Sequence, residues 1–335
     1  MDERTDAARA TRGDVARLAG VSTAVVSYVV NGGPRPVADD TRARVLAAVR
    51  ALDYRPNASA RALKRGSTQL LGLVVSEIVN PYFSEFIDAI DAAAFEHSHS
   101  IILTSTHERA ERERLLVPAL IERGIDGLIF LTRLHDHGLY SIAEATIPRV
   151  FLDHSYPTLP HHTISPDALD GAHRATNHLI EHGHTRLGII LGVHESPQID
   201  LRRVGWERAL AAAGIADPGP TITTWDRRGG YDGARLLLDS AEPPTAILAG
   251  SDLIAVGALQ AIRDHGLRVP DDIAIVSYDG TSESEYSSPP LTAVRQPFEA
   301  MAAAAVERVI FRQSTPDHLV FPMEFVVRRS CGCAP

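Results

Sequence analysis

The sequence predicts an N-terminal all-α helix-turn-helix head with a hinge helix, joined to an α/β body of two doubly wound lobes. Three observations predict this organisation. Two short apolar helices flank a glycine-containing turn near the N-terminus, and buried strand patterns alternate with helical patterns from Leu70 onward. The alternation starts again after Pro166, and a chain of 335 residues is long enough for two or three separate cores.

The first two helices form the most specific local pattern in the chain. Gly20 ends the first helix, Ser22 can cap the second, and Asn31 begins the turn that ends it. Two short helices joined by such a turn form a helix-turn-helix, although an ordinary pair of packed helices is an alternative. The apolar stripes of the two helices comprise Val15, Ala16, Ala19, Val25, Val26, Val29 and Val30.

Two further helices are predicted before the body begins. The first covers Ala38–Leu52, where apolar residues repeat at helical spacing. The second covers Pro56–Arg65, is capped at Asn57 and ends at Gly66. A helix this short is marginal alone in water, so it needs a partner to be stable. A plain linker with an incidental leucine at Leu63 is the alternative.

The body is predicted from buried parallel strands separated by helices, a pattern that restarts with a helix over Ala168–His182. Two successive doubly wound units predict two lobes. The predicted strands are Leu70–Val75, Ile101–Thr104, Gly127–Leu131 and Val150–Leu152 in the first lobe, and Leu187–Leu191, Ala246–Ala249 and Ile273–Ser277 in the second.

The net charge of −9 is unevenly distributed along the chain. Residues 1–66 hold twelve Lys or Arg against seven Asp or Glu, a charge of +5, whereas the remainder holds 21 against 35, a charge of −14. A basic head attracts phosphates locally, and an acidic body is repelled by them. The distribution favours a head that binds nucleic acid, with a chance fluctuation as the alternative.

Composition and motifs exclude several classes of protein. Lys64 is the only lysine, which excludes a Walker A loop, a Schiff-base lysine and a kinase lysine. The sequence contains no Gly-x-Ser-x-Gly, His-Glu-x-x-His or Gly-x-Gly-x-x-Gly motif. No apolar segment follows Met1, and no run is long enough to span a membrane. We therefore expect a soluble, cytoplasmic protein without a signal peptide.

Several short motifs follow one another in a distinctive order near the N-terminus. They are Asp14-Val-Ala, Ala19-Gly-Val-Ser22, Val26-Ser27, Val29-Val-Asn-Gly32, Tyr54-Arg-Pro-Asn57 and Ala60-Arg-Ala-Leu63. Their order resembles the LacI/GalR (lactose-repressor/galactose-repressor) family of bacterial transcriptional regulators, and the resemblance extends almost to the C-terminus.

The resemblance implies three domains and a body that folds like the periplasmic sugar-binding proteins. The helix-turn-helix domain covers residues 11–56, the hinge helix 57–66, and the effector-binding and dimerisation domain 68–335. The helix Phe298–Phe311 and the strand Glu324–Val327 are expected to cross between the lobes. The N-lobe then comprises about residues 68–166 and 297–324, and the C-lobe about 167–296 and 325–335.

The resemblance also implies that the second helix enters the major groove of DNA, while paired hinge helices insert Leu63 into the minor groove. The sequence departs from the family at Tyr28, where most members carry arginine. Thr23 and Ala24 are small, so this face offers methyl and hydroxyl groups but no bidentate arginine contact to guanine. We expect DNA contacts from Ser22, Thr23, Ala24, Ser27, Tyr28, Asn31, Asn57, Ala60, Arg61, Leu63 and Lys64.

An effector is expected between the lobes, because ligands of doubly wound sheets bind at the carboxyl ends of the strands. Carboxylates and an arginine bind vicinal hydroxyls, and aromatic faces stack on a ring, which suits a sugar or another small polar ring, including a nucleobase. Asp279 as a loop cap, and Tyr82 and Phe83 as core residues, are the alternatives. The expected effector contacts are Tyr82, Phe83, Asp153, Arg202, Trp225, Ser251 and Asp279, of which Arg202 and Trp225 rest on the resemblance.

We expect no cofactor and no metal. His178 and His182 are four residues apart with His184 nearby, a spacing that could hold zinc, but this segment also matches a structural pattern of the family. Cys331 and Cys333 are too close in sequence for an ordinary stapling disulfide, and two thiols alone make a poor metal site. A frayed C-terminal tail is the expectation.

These observations predict a homodimeric, sequence-specific DNA-binding regulator, acting as a repressor, whose affinity for operator DNA is controlled by a small effector. Only seven residues follow Arg328, too few for a tetramerising helix. A solute-binding protein is one alternative; it fits residues 68–335 but not the basic head. A sugar-processing enzyme using Asp153 and Asp279 as a carboxylate pair is the other.

Overall fold

The computed structural model describes residues 10–31, 33, 35–56, 58–132, 147–152, 162–193, 200–313, 315 and 317–333, apart from the side chains of residues 58–60 and 64. The chain divides into two compact units, Met1–Thr68 and Gln69–Pro335. No single helix among the described residues is long and apolar enough to cross a membrane. Arg12–Ala19 and Thr23–Asn31 reach that length and composition only as a pair bent by 104°.

The first unit is all-α. Thr11 caps the first helix: its hydroxyl accepts a hydrogen bond from the backbone N–H of Asp14 at 3.3 Å, and the Asp14 carboxylate accepts one from the N–H of Thr11 at 2.9 Å. The Thr11 hydroxyl also donates to the Asp14 carboxylate at 2.6 Å, and this bond, together with the one from the Thr11 N–H, lowers the pKa of Asp14. Gly20 ends the helix with a φ of 65°, in the left-handed region that suits glycine. The helices are α1 (Arg12–Ala19), α2 (Thr23–Asn31), α3 (Asp39–Ala51) and α4 (Ala58–Arg65).

The core of the head lies between α1, α2 and α3. Val15, Val26 and Val45, one from each helix, are fully buried at its centre. The Arg44 guanidinium donates a 3.3 Å hydrogen bond to the carbonyl of Ala19 and so satisfies a carbonyl at the end of α1. The apolar stripes predicted from the sequence are therefore the faces that meet in this core.

The second unit contains two six-stranded sheets. The first has the strand order β11-β5-β4-β3-β1-β2, and each neighbouring pair is parallel. Apolar cores lie on both of its faces, one of them against α5 and α12 and the other against α6. The elements are β1 (Leu70–Val75), α5 (Pro81–Glu96), β2 (Ser100–Ser105), α6 (Ala110–Glu122), β3 (Gly127–Leu131), β4 (Arg149–Leu152), β5 (His162–Pro166), α12 (Phe298–Ile310) and β11 (His318–Phe321).

The second sheet has the order β12-β10-β9-β8-β6-β7, parallel except for the antiparallel pair of β10 and β12. Helices α7 and α8 cover one face, and α9 and α10 cover the other. The elements are α7 (Ala168–Glu181), β6 (Leu187–Gly192), α8 (Leu201–Ala213), β7 (Thr221–Thr223), α9 (Arg227–Leu238), β8 (Ala246–Ala249), α10 (Asp252–Asp264), β9 (Ala274–Asp279), α11 (Ser282–Tyr286), β10 (Thr292–Arg295) and β12 (Glu324–Val326).

The chain passes between the two sheets three times. It leaves the first sheet after β5, returns to it through α12 and β11, and re-enters the second sheet with β12. Phe298 and Met301 of α12 are buried in the core of the first lobe, against α5. The predicted fold class, an all-α head and two doubly wound lobes, is confirmed.

Four strands are absent from the sequence-based prediction: β5, β7, β10 and β11. Each has three to five residues, and of the four only β11, with Leu319–Phe321, contains three consecutive apolar residues. Their strand conformation depends on neighbours far along the chain, as when β11 pairs with β5 in register Leu319 to Ile164. Local periodicity carries no signal for such pairings.

Candidate DNA interface and effector site

The face of α2 that points away from the head core is polar and small. Ser22, Thr23 and Ala24 are exposed at its N-terminus, and the Ser22 hydroxyl accepts a hydrogen bond from the N–H of Val25 at 3.4 Å. Asn31 is exposed at the other end and donates to the Ser27 hydroxyl at 3.2 Å. This face offers hydroxyls, one amide and a helix N-terminus, groups that bind phosphates and base edges.

Tyr28 of α2 is partly exposed and also packs against Gly33. Its ring is half-buried and lies against Gly33, where any Cβ would overlap it. The Gly33 N–H donates to the Tyr28 carbonyl at 3.0 Å. Glycine at 33 is therefore required by the close approach of the ring.

The short helix α4 carries a strongly exposed leucine. Leu63 is 88% exposed, Arg61 is also exposed, and Gly66 ends the helix with a φ of 72°. Leu63 is the most exposed large apolar side chain among the described residues, and it lies on a helix that is marginal alone in water. The expected contact Asn57 lies outside the described residues, as do the side chains of Ala60 and Lys64.

In the second lobe, the Arg202 side chain lies beside the carboxyl ends of β8 and β9. Its guanidinium makes a bidentate pair with Asp200, with Nε to Oδ1 and Nη2 to Oδ2 distances of 2.9 Å each. Nη1 donates to the carbonyl of Gly250 at 3.1 Å. The guanidinium lies 4.3 Å from the ring centroid of Trp225 and 5.4 Å from that of Tyr278. Arg202 and Trp225 thus form one rigid surface.

Trp225 is fixed in turn by the strands beneath it. Its indole N–H donates to the carbonyl of Val193 at 3.0 Å, just beyond β6. Its ring lies directly over Gly192, where a Cβ would overlap the indole. The glycine at the end of β6 therefore lets the aromatic face lie flat on the sheet edge.

Ser251 and Asp279 lie at the ends of β8 and β9, and both are 5% exposed. The Ser251 hydroxyl caps α10 by accepting from the N–H of Ile254 at 3.2 Å. Asp279 has a φ of 100°, a costly value for a residue with a side chain. Its Oδ1 accepts from the Gln296 side chain at 2.9 Å, and its carbonyl accepts from the Gln296 N–H at 2.9 Å.

Tyr82 and Phe83 begin α5, where Asn80 accepts the N–H of Tyr82 at 3.1 Å. They are 5% and 2% exposed and belong to the core of the first lobe. The Tyr82 ring makes edge contacts with Phe86 and Phe298 at 6.0 and 5.7 Å between centroids. The structure gives both rings a packing role. Asp153 lies outside the described residues.

Comparison with known proteins covers both parts of the chain. Residues 12–57 match the family described as bacterial regulatory proteins, lacI family, and residues 176–331 match the periplasmic binding protein-like domain. The ribose operon repressor of Escherichia coli K12 is 35% identical over 311 residues, which cover 92% of this chain and 94% of that protein. This chain belongs to the LacI family.

Further relatives agree with this assignment. The HTH-type transcriptional repressor PurR of Vibrio campbellii is 34% identical over 333 residues, 96% of this chain and 98% of that protein. A crystal structure of the lac repressor dimer bound to operator and the anti-inducer ONPF superposes with a TM-score of 0.86 at 30% identity, covering 96% and 99% of the two chains. These relatives are transcriptional repressors and not enzymes, so the enzyme alternative is discarded.

Within this LacI-family body, two polar clusters contain hydrogen bonds that were not predicted from the sequence. Asp252 is 2% exposed and accepts hydrogen bonds from the Ser277 hydroxyl and from the N–H and hydroxyl of Thr281, the latter two at 2.6 and 2.7 Å. Burial raises the pKa of Asp252 to about 6, although these hydrogen bonds oppose the rise. The cluster fixes Thr281, in the loop that immediately follows Asp279 at the end of β9.

The second cluster joins the two lobes. Glu85 of α5 accepts hydrogen bonds from the N–H and the hydroxyl of Ser282 at 2.7 and 2.9 Å. Ser282 begins α11, so the carboxylate caps that helix from the opposite lobe. The two residues are 197 positions apart, and nothing in either local sequence indicates the contact.

The expectation of a frayed C-terminal tail is wrong for the residues up to 333. Cys331 is 1% exposed and accepts a hydrogen bond from the Thr292 hydroxyl of β10, and Ser330 is hydrogen-bonded to both β9 and β10. Burial raises the pKa of the Cys331 thiol, but hydrogen bonds from His178, Thr292 and Cys333 outweigh this and lower it to about 7. The tail is therefore part of the second lobe.

Proposed function

We propose that the chain is a homodimeric repressor that binds double-stranded operator DNA and releases or retains it in response to a small polar effector. The observation that carries this proposal is the exposed polar face of α2 on a LacI-family head. It presents Ser22, Thr23, Ala24 and Asn31 without covering contacts from the rest of the head. The site of action is the bacterial cytoplasm, on the nucleoid DNA.

DNA binding uses two elements of the head. The N-terminus of α2 enters the major groove, where Thr23 and Ala24 contact thymine methyl groups and Ser22, Ser27 and Asn31 supply hydrogen bonds. Helix α4 pairs with its copy in the dimer, and Leu63 enters the minor groove between unstacked bases. Arg61, Lys64 and the amide of Asn57 bind phosphates beside it. The lac repressor dimer bound to operator supports this arrangement.

The effector site is the surface at the carboxyl ends of β6, β8 and β9, formed by Arg202, Trp225, Ser251 and Asp279. The indole provides a stacking face, and the Asp279 carboxylate and the guanidinium provide paired hydrogen bonds to hydroxyls. Because this chemistry suits a furanose or pyranose, a sugar is the proposed effector. The similarity to the ribose operon repressor supports a pentose as the first candidate. Asp153, which lies outside the described residues, is the proposed contact from the first lobe, whereas Tyr82 and Phe83 pack in the core of that lobe.

Dimerisation is proposed on the face of α10 and α11. An open groove of about 530 Å³ lies there, lined by Val256, Leu259 and Tyr286, and the Tyr286 side chain is 83% exposed. Large apolar side chains at the centre of a polar rim are typical of protein interfaces. Sedimentation of a Tyr286→Glu variant as a monomer, against a wild-type dimer, tests this face.

The regulator is tested by fluorescence anisotropy on duplexes tiled across the DNA that flanks its own gene. Titrations at two salt concentrations separate specific binding from phosphate attraction, because the latter weakens steeply with salt. We expect tight binding to one near-palindromic duplex, altered by ribose or another sugar from a panel that includes nucleobases. Equal, weak binding to every duplex of a whole-genome fragment library would contradict the proposal.

A further inference from the structure

Four sulfur- and nitrogen-bearing side chains meet at the C-terminal end of α7. His178 and His182 occupy the last turn of this helix and its cap, four residues apart. Cys331 and Cys333 approach them from the turn that follows β12. The Cys333 Sγ lies 3.2 Å from His182 Nε2 and 3.7 Å from His178 Nε2. Ligand atoms of His178, Cys331 and Cys333 all lie within 4.8 Å of one another.

The fold holds the two cysteines in place independently of the histidines. Ser330 donates its hydroxyl to the carbonyl of Ile275 at 2.6 Å, and its carbonyl accepts from the N–H of Ile275 at 2.8 Å. The Ser330 hydroxyl also accepts from the N–H of Thr292 at 2.8 Å. The turn is thereby fastened to β9 and β10 immediately before Cys331.

Gly332 lets the chain reverse between the two cysteines. Its φ of +90° lies in the left-handed region, which glycine adopts without the strain that a Cβ introduces. The reversal directs the thiols of Cys331 and Cys333 toward the same helix end. A Cys-Gly-Cys sequence thus presents two sulfurs to one point.

His182 lies outside the group of three mutually close ligands and approaches it through Cys333. Two sulfur–nitrogen distances of the cluster agree with the edges of a zinc coordination tetrahedron. Zinc lies about 2.3 Å from a thiolate and about 2.0–2.1 Å from an imidazole nitrogen, so adjacent sulfur and nitrogen ligands are about 3.5 Å apart. The two measured sulfur–nitrogen distances, 3.2 and 3.7 Å, lie on either side of this value. The Phe325 ring, 4.9 Å from that of His178 between centroids, covers one side of the cluster.

We propose that His178, His182, Cys331 and Cys333 form a Cys₂His₂ site for Zn²⁺ that fastens the C-terminal turn to α7. Four protein ligands leave no position open for water or substrate, so the site is structural. The half-exposed Cys333 and the exposed His182 lie on its outer side, which gives the ion a path of entry. His184 does not belong to the set, because its Nδ1 lies 2.9 Å from the Thr245 hydroxyl oxygen.

The site is tested on the full-length chain, purified under reducing conditions and stripped of metal with a chelator. Zinc content by elemental mass spectrometry should return to one ion per chain after incubation with Zn²⁺. Co²⁺ serves as the spectroscopic probe, because tetrahedral thiolate coordination gives strong visible bands and a thiolate-to-metal charge-transfer band. Zn²⁺ should raise the Tm of the wild type, since a ligand that binds only the native state stabilises it.

Cys333→Ser is the main variant, because Cys333 is only half-buried and its replacement leaves the core intact. We expect it to lower zinc affinity at least tenfold and to lose most of the charge-transfer band. His178→Asn should weaken binding similarly, and His182→Asn less. His173→Asn is the matched control: it lies on the same helix, against Asn177 and outside the cluster, and should bind as the wild type does.

Three results would overturn the proposal. One is a wild-type chain that takes up no stoichiometric zinc and gives no charge-transfer band with Co²⁺ while its thiols are reduced. Another is a folded Cys333→Ser variant, verified by circular dichroism, that binds zinc as tightly as the wild type. A Cys331–Cys333 disulfide that persists in reductant and blocks metal uptake would also contradict it.

Discussion

At the scale of single residues, the second lobe contains two neighbouring arginines with opposite roles. Arg202 is largely buried, pairs with Asp200 and lies against Trp225, whereas Arg203 forms an exposed pair with Glu207 at 2.6 Å. Because both residues are arginines and adjacent in sequence, residue type alone does not distinguish their roles. The resemblance to the LacI/GalR family singled out Arg202, which lies four residues before Trp206 as the family's arginine does. The structure places it at the sheet edge where ligands bind.

Replacing Arg202 with Ala should destabilise the body by about 2–3 kcal/mol, because a buried carboxylate loses its charged hydrogen-bond partner. It should also abolish the effect of the effector on DNA binding, since the indole loses its support. Arg203→Ala is the matched control and should change stability by less than about 1 kcal/mol. Urea unfolding and effector-dependent anisotropy measure the two effects; equal behaviour of both variants would refute the assignment.

Asp317 illustrates a charge fixed by its neighbours. The Arg308 guanidinium at 2.6 Å is the largest cause that lowers the pKa of Asp317, to about 2, and a hydrogen bond from His162 at 2.7 Å adds to it. Since the folded pKa lies below the unfolded value, the stabilisation is fully present above about pH 4 and disappears as pH falls toward 2.

Asp317→Asn should therefore lower stability at neutral pH, and the difference from the wild type should shrink as the pH falls from 4 toward 2. Thermal unfolding across this range measures it. Asp271→Asn, which removes an exposed partner of Arg268 at 2.9 Å, is the control and should leave stability nearly unchanged. A constant difference between Asp317→Asn and the wild type at all pH values would contradict the pKa shift.

At the scale of elements, the helices of the head were predictable because their signals are local. Caps, a glycine stop and one apolar face agree over α1 and α2: as predicted, α1 ends just before Gly20 and α2 begins just after Ser22. The short strands β5, β7, β10 and β11 were missed because distant partners decide their conformation. The packing of Tyr82 and Phe83 also depends on Phe298, more than 200 positions away.

Helix α4 carries the exposed Leu63, and its proposed role in DNA binding can be tested with one substitution. Leu63→Ala should weaken specific operator binding at least tenfold, about 1.4 kcal/mol, because the buried apolar area in the minor groove is lost. The affinity for the effector should not change, since Leu63 lies in the head. Anisotropy on specific and random duplexes measures the ratio of affinities.

Leu236→Ala is the matched control, an exposed leucine of the body on α9 that is 66% accessible. It should leave both affinities at the wild-type value. Unchanged operator affinity of Leu63→Ala, with a normal circular dichroism spectrum, would refute the role assigned to α4.

At the scale of the whole body, contacts between distant segments carry the information that the sequence analysis lacked. His182 and Cys333, two of the proposed zinc ligands, are 151 positions apart, and the proposed site replaces our expectation of no metal. The Glu85 carboxylate likewise reaches the N-terminus of α11 from the other lobe. Contacts of this kind can be identified only when it is known how the chain crosses between the two sheets.

Glu85→Ala should loosen the contact between the lobes, because the Ser282 N–H loses a charged acceptor. Hydrogen exchange at the start of α11 should then accelerate several-fold, while the amides of β9 stay protected. Asp88→Ala, an exposed neighbour on α5, should leave exchange at α11 unchanged. If α11 exchanged at the same rate in Glu85→Ala and the wild type, the hydrogen bond would not hold the lobes in solution.

The threefold passage of the chain between the sheets limits how this protein can be recombined. Neither lobe is a continuous stretch of sequence. Helix α12 and strand β11 belong to the first lobe but follow β10 of the second, and β12 then returns to the second. A gene exchange that replaces one lobe alone must therefore splice at three places and still match both cores. Exchanging the head for that of another family member needs only one splice, after Thr68. The part that binds the operator and the part that binds the effector can therefore be recombined separately.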